Sequence, residues 1–150
     1  MITVSDRCSA GDAEDKSGPA LVAMLEEAGI EVVGRSLVPD EVAEIRAALR
    51  EAGADLVMTT GGTGLAARDV TRQATALEID YQVPGLAEEM RRVGVGSTPM
   101  AMLSRGLAAV RGRSLVLNLP GSEKGATESL AAVLPVLGHA LRQLAGRTEH

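Results

Sequence analysis

The 150-residue chain has no phenylalanine, no tryptophan and a single tyrosine, Tyr81. Its core must be assembled from Leu, Val, Ile, Met and Ala, and any ring-shaped ligand must be held by backbone, aliphatic and polar groups rather than by stacking. Cysteine is almost absent too. Cys8 is alone, which excludes an internal disulfide and a thiolate metal site. Positive charge is in deficit, with 15 Lys+Arg against 20 Asp+Glu and a net charge of -5. The basic clusters Arg91-Arg92 and Arg111-Gly112-Arg113 are short enough to be a solvated face or a turn. No basic stripe exists to displace phosphate counterions, so no nucleic-acid partner is expected. No apolar run reaches the roughly 18 residues of a membrane helix, and no signal-type segment opens the chain. The expectation is a cytoplasmic protein with no membrane partner.

What is present fits one α/β domain over residues 1–150, 45 % hydrophobic and long enough for a sizeable core. Met1-Ile2-Thr3-Val4 starts abruptly and reads as the last half of a strand with a few residues missing upstream. Ser17-Gly18-Pro19 opens a helix carrying Leu21, Met24 and Leu25, which Gly29 ends. The β-branched run 30–38 reads as a strand, broken by Pro39-Asp40. Val42, Ile45, Leu49 and Ala52 then mark a second helix, stopped by Gly53. A strand at 55–59 runs into Thr59-Thr60-Gly61-Gly62-Thr63-Gly64, and a short helix starts near Asp69 or Thr71. Pro84-Gly85 opens a helix through Arg92, and residues 99–105 form a further helical piece. Residues 114–119 are an apolar strand suited to burial on both faces. Pro120-Gly121-Ser122 follows, then a closing helix from about Ala126 to Leu144 that Pro135 should kink or split. Strands alternating with helices predict a parallel or mixed sheet covered on both sides.

Two loops leave apolar strands through glycine, at 59–64 and 120–121. In a parallel sheet such loops face each other across a crevice at the carboxyl edge, where open α/β folds bind ligands. Bare amides and hydroxyls there suit phosphate. The loop is neither a Walker loop, since no Gly-Lys-Ser/Thr follows, nor a Gly-x-Gly-x-x-Gly dinucleotide loop. Asp69 beside Arg68, and Asp40 after Pro39, each read first as helix N-caps, and both could also face the same crevice. Two carboxylates around an anion require a cation between them, which points to magnesium-bound polyphosphate. Ser5 and Asp6 after the first strand, and Ser104-Arg105 after an apolar run, are candidates for the same edge. His139, His150 and Cys8 have no partners at useful spacing.

Together these residues resemble the MogA/MoaB-type molybdopterin-binding family. The segments that carry the resemblance are Ser5-Asp6-Arg7 with Ser9-Ala10-Gly11, Val38-Pro39-Asp40-Glu41, Thr59 to Gly64 with Arg68-Asp69-Val70-Thr71, Met102-Leu103-Ser104-Arg105, and Leu117-Asn118-Leu119-Pro120-Gly121. The resemblance implies a three-layer α/β/α domain, a homotrimer, and transfer of AMP from Mg-ATP to the terminal phosphate of molybdopterin. It implies Asp40 and Asp69 as the functionally essential aspartates, and their chemistry makes them the expected magnesium ligands. The ligand-binding edge it implies comprises Thr60, Gly61, Gly62, Thr63, Gly64, Pro120 and Gly121, with Arg68 or Arg105 offsetting charge. The alternatives are a non-catalytic pterin-binding or scaffold relative, and the related domain of competence-damage-type nucleotide pyrophosphatases. The chain departs from the family at Arg72, where proline is common, and at Ser122-Glu123-Lys124 in place of a second proline; both changes bear on loop rigidity. Leu65, Leu86 and Leu107 fit either the core or a subunit contact.

Overall fold

Aliphatic, β-branched runs between turn residues become strands, and apolar residues at every third or fourth position become helices. In the computed structural model, which describes residues 1–147, the chain runs β1 (Ile2–Val4), α1 (Asp6–Ser9), α2 (Ser17–Glu27), β2 (Ser36–Val38), α3 (Val42–Glu51), β3 (Leu56–Thr60) and α4 (Thr71–Ala76). It continues through β4 (Tyr81–Gln82), α5 (Pro84–Val95), a 3₁₀ turn (Pro99–Leu103), β5 (Ala108–Arg111), β6 (Ser114–Leu119) and α6 (Glu123–Leu144). His150 lies outside the described residues.

The strands form one six-stranded sheet in the order β2-β1-β3-β6-β5-β4. β2, β1, β3 and β6 are mutually parallel, β5 runs antiparallel to β6, and β4 runs antiparallel to β5. Alternation divides the strand residues between two layers of helix. Met58, Leu115, Leu117 and Leu119 pack with Leu21, Leu25, Ala87, Leu130 and Leu137 of α2, α5 and α6. Ile2, Val4, Val57 and Val116 pack with Ile45, Leu49 and Ala74 of α3 and α4. The expected three-layer α/β/α arrangement with a mostly parallel sheet is what the chain forms. Among the described residues, no helix is long and apolar enough to cross a membrane.

Several expectations need correction. The strand read over 30–38 is a strand only at Ser36–Val38, because β1 reaches back only to Ile2 and residues 30–35 have no neighbour to pair with. β4 and β5 were not legible: β4 spans two residues, and β5 is alanine-rich, with low strand preference. Arg111-Gly112-Arg113 is the turn between β5 and β6, with Gly112 at φ +59°. Pro135 does not split α6, which is continuous from Glu123 to Leu144. The carbonyl that its missing N–H leaves free belongs to Ala131, and both residues lie on the exposed face of the helix. Leu107 is a core residue at 2 % exposure, whereas Leu65 stands 65 % exposed.

Candidate functional site

Four parallel strands side by side end on one edge, so the loops that leave them are neighbours. Asp40 follows β2, Ser5 and Asp6 follow β1, Gly61 to Gly64 follow β3, and Pro120-Gly121 follow β6. The structure thus brings together the two glycine loops and both candidate aspartates, which lie far apart in sequence.

The β3 loop needs its glycines for separate reasons. Gly61 has φ +105°, and a Cβ there would run into the Val4 carbonyl oxygen. Gly62 has φ +67°, and its Cβ would collide with Thr71 Oγ1 and reach 3.1 Å from Asp40 Oδ1. With no side chain at 62, the loop lies directly against the Asp40 carboxylate. Thr71 fastens the loop from α4, donating its hydroxyl to the Gly61 carbonyl (2.9 Å) and its amide to the Gly62 carbonyl (3.1 Å). Thr60 is fully buried, and its hydroxyl donates to the Pro120 carbonyl at 2.7 Å. Gly121 is so close that a Cβ there would stand 3.2 Å from Gly61 Cα. The amide of Gly61 is used by the Leu119 carbonyl, but those of Gly62, Thr63 and Gly64 donate to no group among the described residues. Consecutive free amides beside left-handed glycines form an anion-binding concavity.

Neither aspartate is a helix cap. The N-cap position of α3 is Glu41 and that of α4 is Val70, each without a side-chain cap bond. Instead Asp40 Oδ2 accepts the Asp6 amide (2.8 Å), and Asp6 Oδ1 accepts the Asp40 amide (3.0 Å). Asp69 Oδ2 accepts the Ala66 amide within its own loop at 3.0 Å, and lies where a Cβ on Gly64 would meet it at 2.8 Å. Partial burial, together with the negative charges of Asp6 and Asp69, pushes the Asp40 carboxyl above its ordinary range, against the pull of the Asp6 amide and Arg68. Asp6 moves the other way, held low by hydrogen bonds from the Arg68 side chain and then the Asp40 amide. One carboxylate at this edge is satisfied and its neighbour is not.

The arginines are engaged differently from the expectation that they stand ready for an anion. Arg68 makes a two-pronged contact with Asp6 (2.9 and 3.0 Å) and reaches Glu41 at 2.8 Å. Arg105 braces the β3 loop, donating to the carbonyls of Gly64 (2.8 Å) and Asp69 (2.6 Å). Arg72, at the position where the family commonly has proline, donates to the Arg105 carbonyl at 3.1 Å and so ties down the same segment. Ser5 caps α1 by accepting the Cys8 amide, and Ser122 caps α6 by accepting the Gly125 amide.

Beside the glycine loops opens a mainly apolar cavity of about 250 Å³ between α5, the 3₁₀ turn and the start of α6. Thr63, Ser104, Pro120 and Ser122 line it next to the loops, with Met90 and Ala101 further in. This cavity was not legible from the residues, since its walls are spread over residues 63–129. Nor was Asn118 legible as a support. This buried side chain donates to Thr59 Oγ1 (3.0 Å) and Thr75 Oγ1 (3.1 Å) and accepts the Leu107 amide (3.1 Å). A polar residue in a run otherwise apolar from Leu115 to Leu119 was the available signal.

Residues 1–139 match the family described as "probable molybdopterin binding domain". The chain is 43 % identical over 147 residues to a molybdopterin adenylyltransferase of Haemophilus influenzae, covering 94 % of this chain and 75 % of that one. It is 36 % identical to gephyrin of Dictyostelium discoideum, 94 % of the chain aligning with only 21 % of that longer protein. The crystal structure of the molybdopterin biosynthesis enzyme MoaB of Thermus thermophilus superimposes with a TM-score of 0.91 at 54 % identity, covering 97 % of this chain and 94 % of that one.

Proposed function

The chain belongs to the molybdopterin-binding domain family, and on that premise we propose that it is a molybdopterin adenylyltransferase of molybdenum cofactor biosynthesis. The observation that carries the reading is the trio of free amides at 62–64, set against the Asp40 carboxylate at the edge where four parallel strands end. Relatives named for this activity support it.

In this reaction an ionised oxygen of the terminal phosphate of molybdopterin attacks the α-phosphorus of ATP. A P–O–P link forms, the bond to the bridging oxygen of pyrophosphate breaks, and pyrophosphate leaves with that electron pair. No general base is required, because the nucleophile is already deprotonated. The protein's contribution is to hold two polyanionic substrates in line and to offset their charge. The amides of 62–64 cradle phosphate, and the start of α6 behind Pro120-Gly121 adds a positive helix end. The cavity lined by Met90 and Ala101 takes a ring moiety of one substrate through aliphatic contact, there being no Phe or Trp in the chain.

Magnesium fits the donors present. No three acidic, His or Cys side chains converge as a metal cage among the described residues, but magnesium is ordinarily held by one or two carboxylates plus substrate phosphates and water. Asp40, raised by partial burial and then by neighbouring negative charge, and Asp69 would hold it, and it would supply neutralisation of the polyphosphate. A homotrimer and a cytoplasmic setting belong to the same proposal. The exposed apolar residues Val95, Met100, Met102 and Leu103 are available for subunit contact, and light scattering tests the assembly.

The decisive assay incubates purified protein with molybdopterin and Mg-ATP and resolves adenylylated pterin by chromatography, with Asp69→Asn alongside. Product from the wild type and none from a folded Asp69→Asn is the expected result. A folded wild type that binds molybdopterin and makes no product would make this a binding protein.

A further inference from the structure

A peptide unit is planar and trans, so its carbonyl and the amide that follows point in opposite directions. Whatever holds a carbonyl therefore aims the next amide. In the β3 loop the amides free for an anion, those of Gly62, Thr63 and Gly64, each share a plane with a carbonyl that is held. Thr71 holds the Gly61 and Gly62 carbonyls and so aims the amides of 62 and 63. The third plane is held from elsewhere. The Thr63 carbonyl accepts the Arg105 amide at 2.8 Å, and this bond aims the Gly64 amide.

The same geometry extends one plane further. The Arg105 amide shares its plane with the Ser104 carbonyl. Arg91 on α5 donates from Nη1 to that carbonyl at 3.4 Å and to the Gly106 carbonyl at 3.2 Å. Arg72 on α4 donates to the Arg105 carbonyl between them at 3.1 Å. Two guanidinium groups from different helices thus grip the successive carbonyls of 104, 105 and 106. Neither forms an ion pair with a carboxylate among the described residues, whereas Arg46, Arg50, Arg68 and Arg92 all do. Arg72 also stands in the first turn of α4, where the open amides of a helix start favour negative charge. Its own helix gives it no reason to be there, and the segment 104–106 does.

We propose that Arg91 and Arg72 are positioning residues for phosphate binding, which aim the Gly64 amide and strengthen it as a donor through the peptide units 104–105 and 63–64. Hydrogen-bonded peptide units in series polarise one another, and a guanidinium is a charged donor with which such a series can begin. Charge balance points the same way. Asp6, Asp40, Glu41 and Asp69 stand on the loops at this edge, and Arg68 is committed to Asp6 and Glu41. Arg72 and Arg91, joined to Arg105, bring positive charge to the same loops without surrendering it to a carboxylate. The inference rests on the reading of 62–64 as a phosphate cradle given above, but not on the transfer of AMP.

The test titrates isotope-labelled protein with magnesium pyrophosphate and follows the loop amides by NMR. In the wild type the amides of Gly62, Thr63 and Gly64 should all respond. In Arg91→Ala and Arg72→Ala the Gly64 response should be selectively lost, while those of Gly62 and Thr63, which Thr71 aims, persist. The dissociation constant for pyrophosphate should rise roughly five- to tenfold in each. Arg91→Met and Arg72→Met repeat the measurement with the apolar stem kept in place, should an alanine variant fail to fold. Arg91→Lys and Arg72→Lys keep a charged donor and should recover most of the loss. Arg113→Ala is the charge control, because Arg113 holds only the carbonyls of Leu144 and Ala145 at the end of α6. It should bind pyrophosphate as the wild type does. Unchanged affinity in the Arg91 and Arg72 variants, an equal loss in Arg113→Ala, or a weakening spread evenly over 62, 63 and 64 would overturn the proposal. A wild type whose loop amides ignore pyrophosphate would overturn the phosphate cradle and this inference together. A wild type that responds as described but forms no adenylylated pterin would remove the transferase reading alone.

Discussion

Asp6 and Asp40 hold one another by reciprocal hydrogen bonds, each main-chain amide donating to the other's carboxylate at 2.8 and 3.0 Å. The pairing fastens the loop after β1 to the loop after β2 and leaves Asp40 Oδ1 directed at Gly62. It also sets the two carboxyls apart in proton affinity, Asp6 lowered and Asp40 raised.

That divergence predicts the behaviour of Asp40→Asn. A carboxyl whose folded value is raised contributes its full stability below the unfolded value of 3.8 and loses it as pH rises through the folded value. At neutral pH the charged Asp40 is therefore a burden to the fold, and the neutral amide relieves it. Asp40→Asn should melt at or above the wild-type temperature at pH 7 while losing AMP transfer by roughly 10²-fold or more. A variant that melts lower and keeps its activity would remove Asp40 from the site.

Arg68→Ala tests the other half. A lowered carboxyl stabilises the fold above its unfolded value of 3.8 and loses that contribution as pH falls through the lowered folded value. The Arg68 contact is the main cause of the lowering. The melting temperature of the variant should therefore fall below wild type at pH 7 and converge with it as acid protonates Asp6. A constant gap across that range would mean that Arg68 acts through packing instead.

Gly61→Ala should be among the most damaging single substitutions in the chain. At φ +105° an L-residue is strained, and the new methyl would overlap the Val4 carbonyl, a main-chain atom that cannot rotate away. A loss of about 3 kcal/mol corresponds to roughly 10 °C in melting temperature for a chain of this size. Gly53→Ala is the control, since its φ is ordinary and nothing lies within 4 Å of the added atom. It should melt within about 2 °C of wild type.

The functional edge was readable because chemistry-bearing residues stood directly after apolar strands: Asp6, Asp40, Gly61 and Pro120 each follow one within two residues. Strand ends are legible as a change from aliphatic to turn residues, and parallel pairing then collects them on one edge. Partnership was not legible. By residue type Arg68 and Arg105 are charge for a ligand, yet they bind Asp6, Glu41 and the carbonyls of 64 and 69. Nothing local tells a surface guanidinium which neighbour, remote in sequence, it will meet. Residues 30–35 show the same limit for the fold, since strand-like composition yields a strand only where a second strand lies alongside.

Asn118 joins the fold to the site, and its replacement discriminates between packing and polar support. Its amide nitrogen bridges Thr59 on β3 to Thr75 on α4, while its oxygen takes the Leu107 amide. Thr71 on that same α4 clamps the carbonyls of Gly61 and Gly62. Asn118→Leu keeps the volume but leaves the Leu107 amide and the two hydroxyls without this partner in a buried setting. Stranding one such group costs about 1–3 kcal/mol, so the melting temperature should drop by roughly 5–10 °C. Asn118→Asp keeps an acceptor for Leu107 but can no longer donate to both threonines while ionised. It should be nearly as unstable at pH 7 and recover part of the loss as acid protonates the new carboxyl. If instead the leucine variant is as stable as wild type, apolar packing suffices at this position. The placement of α4, and with it the clamp on the glycine loop, would then owe nothing to the Asn118 hydrogen bonds.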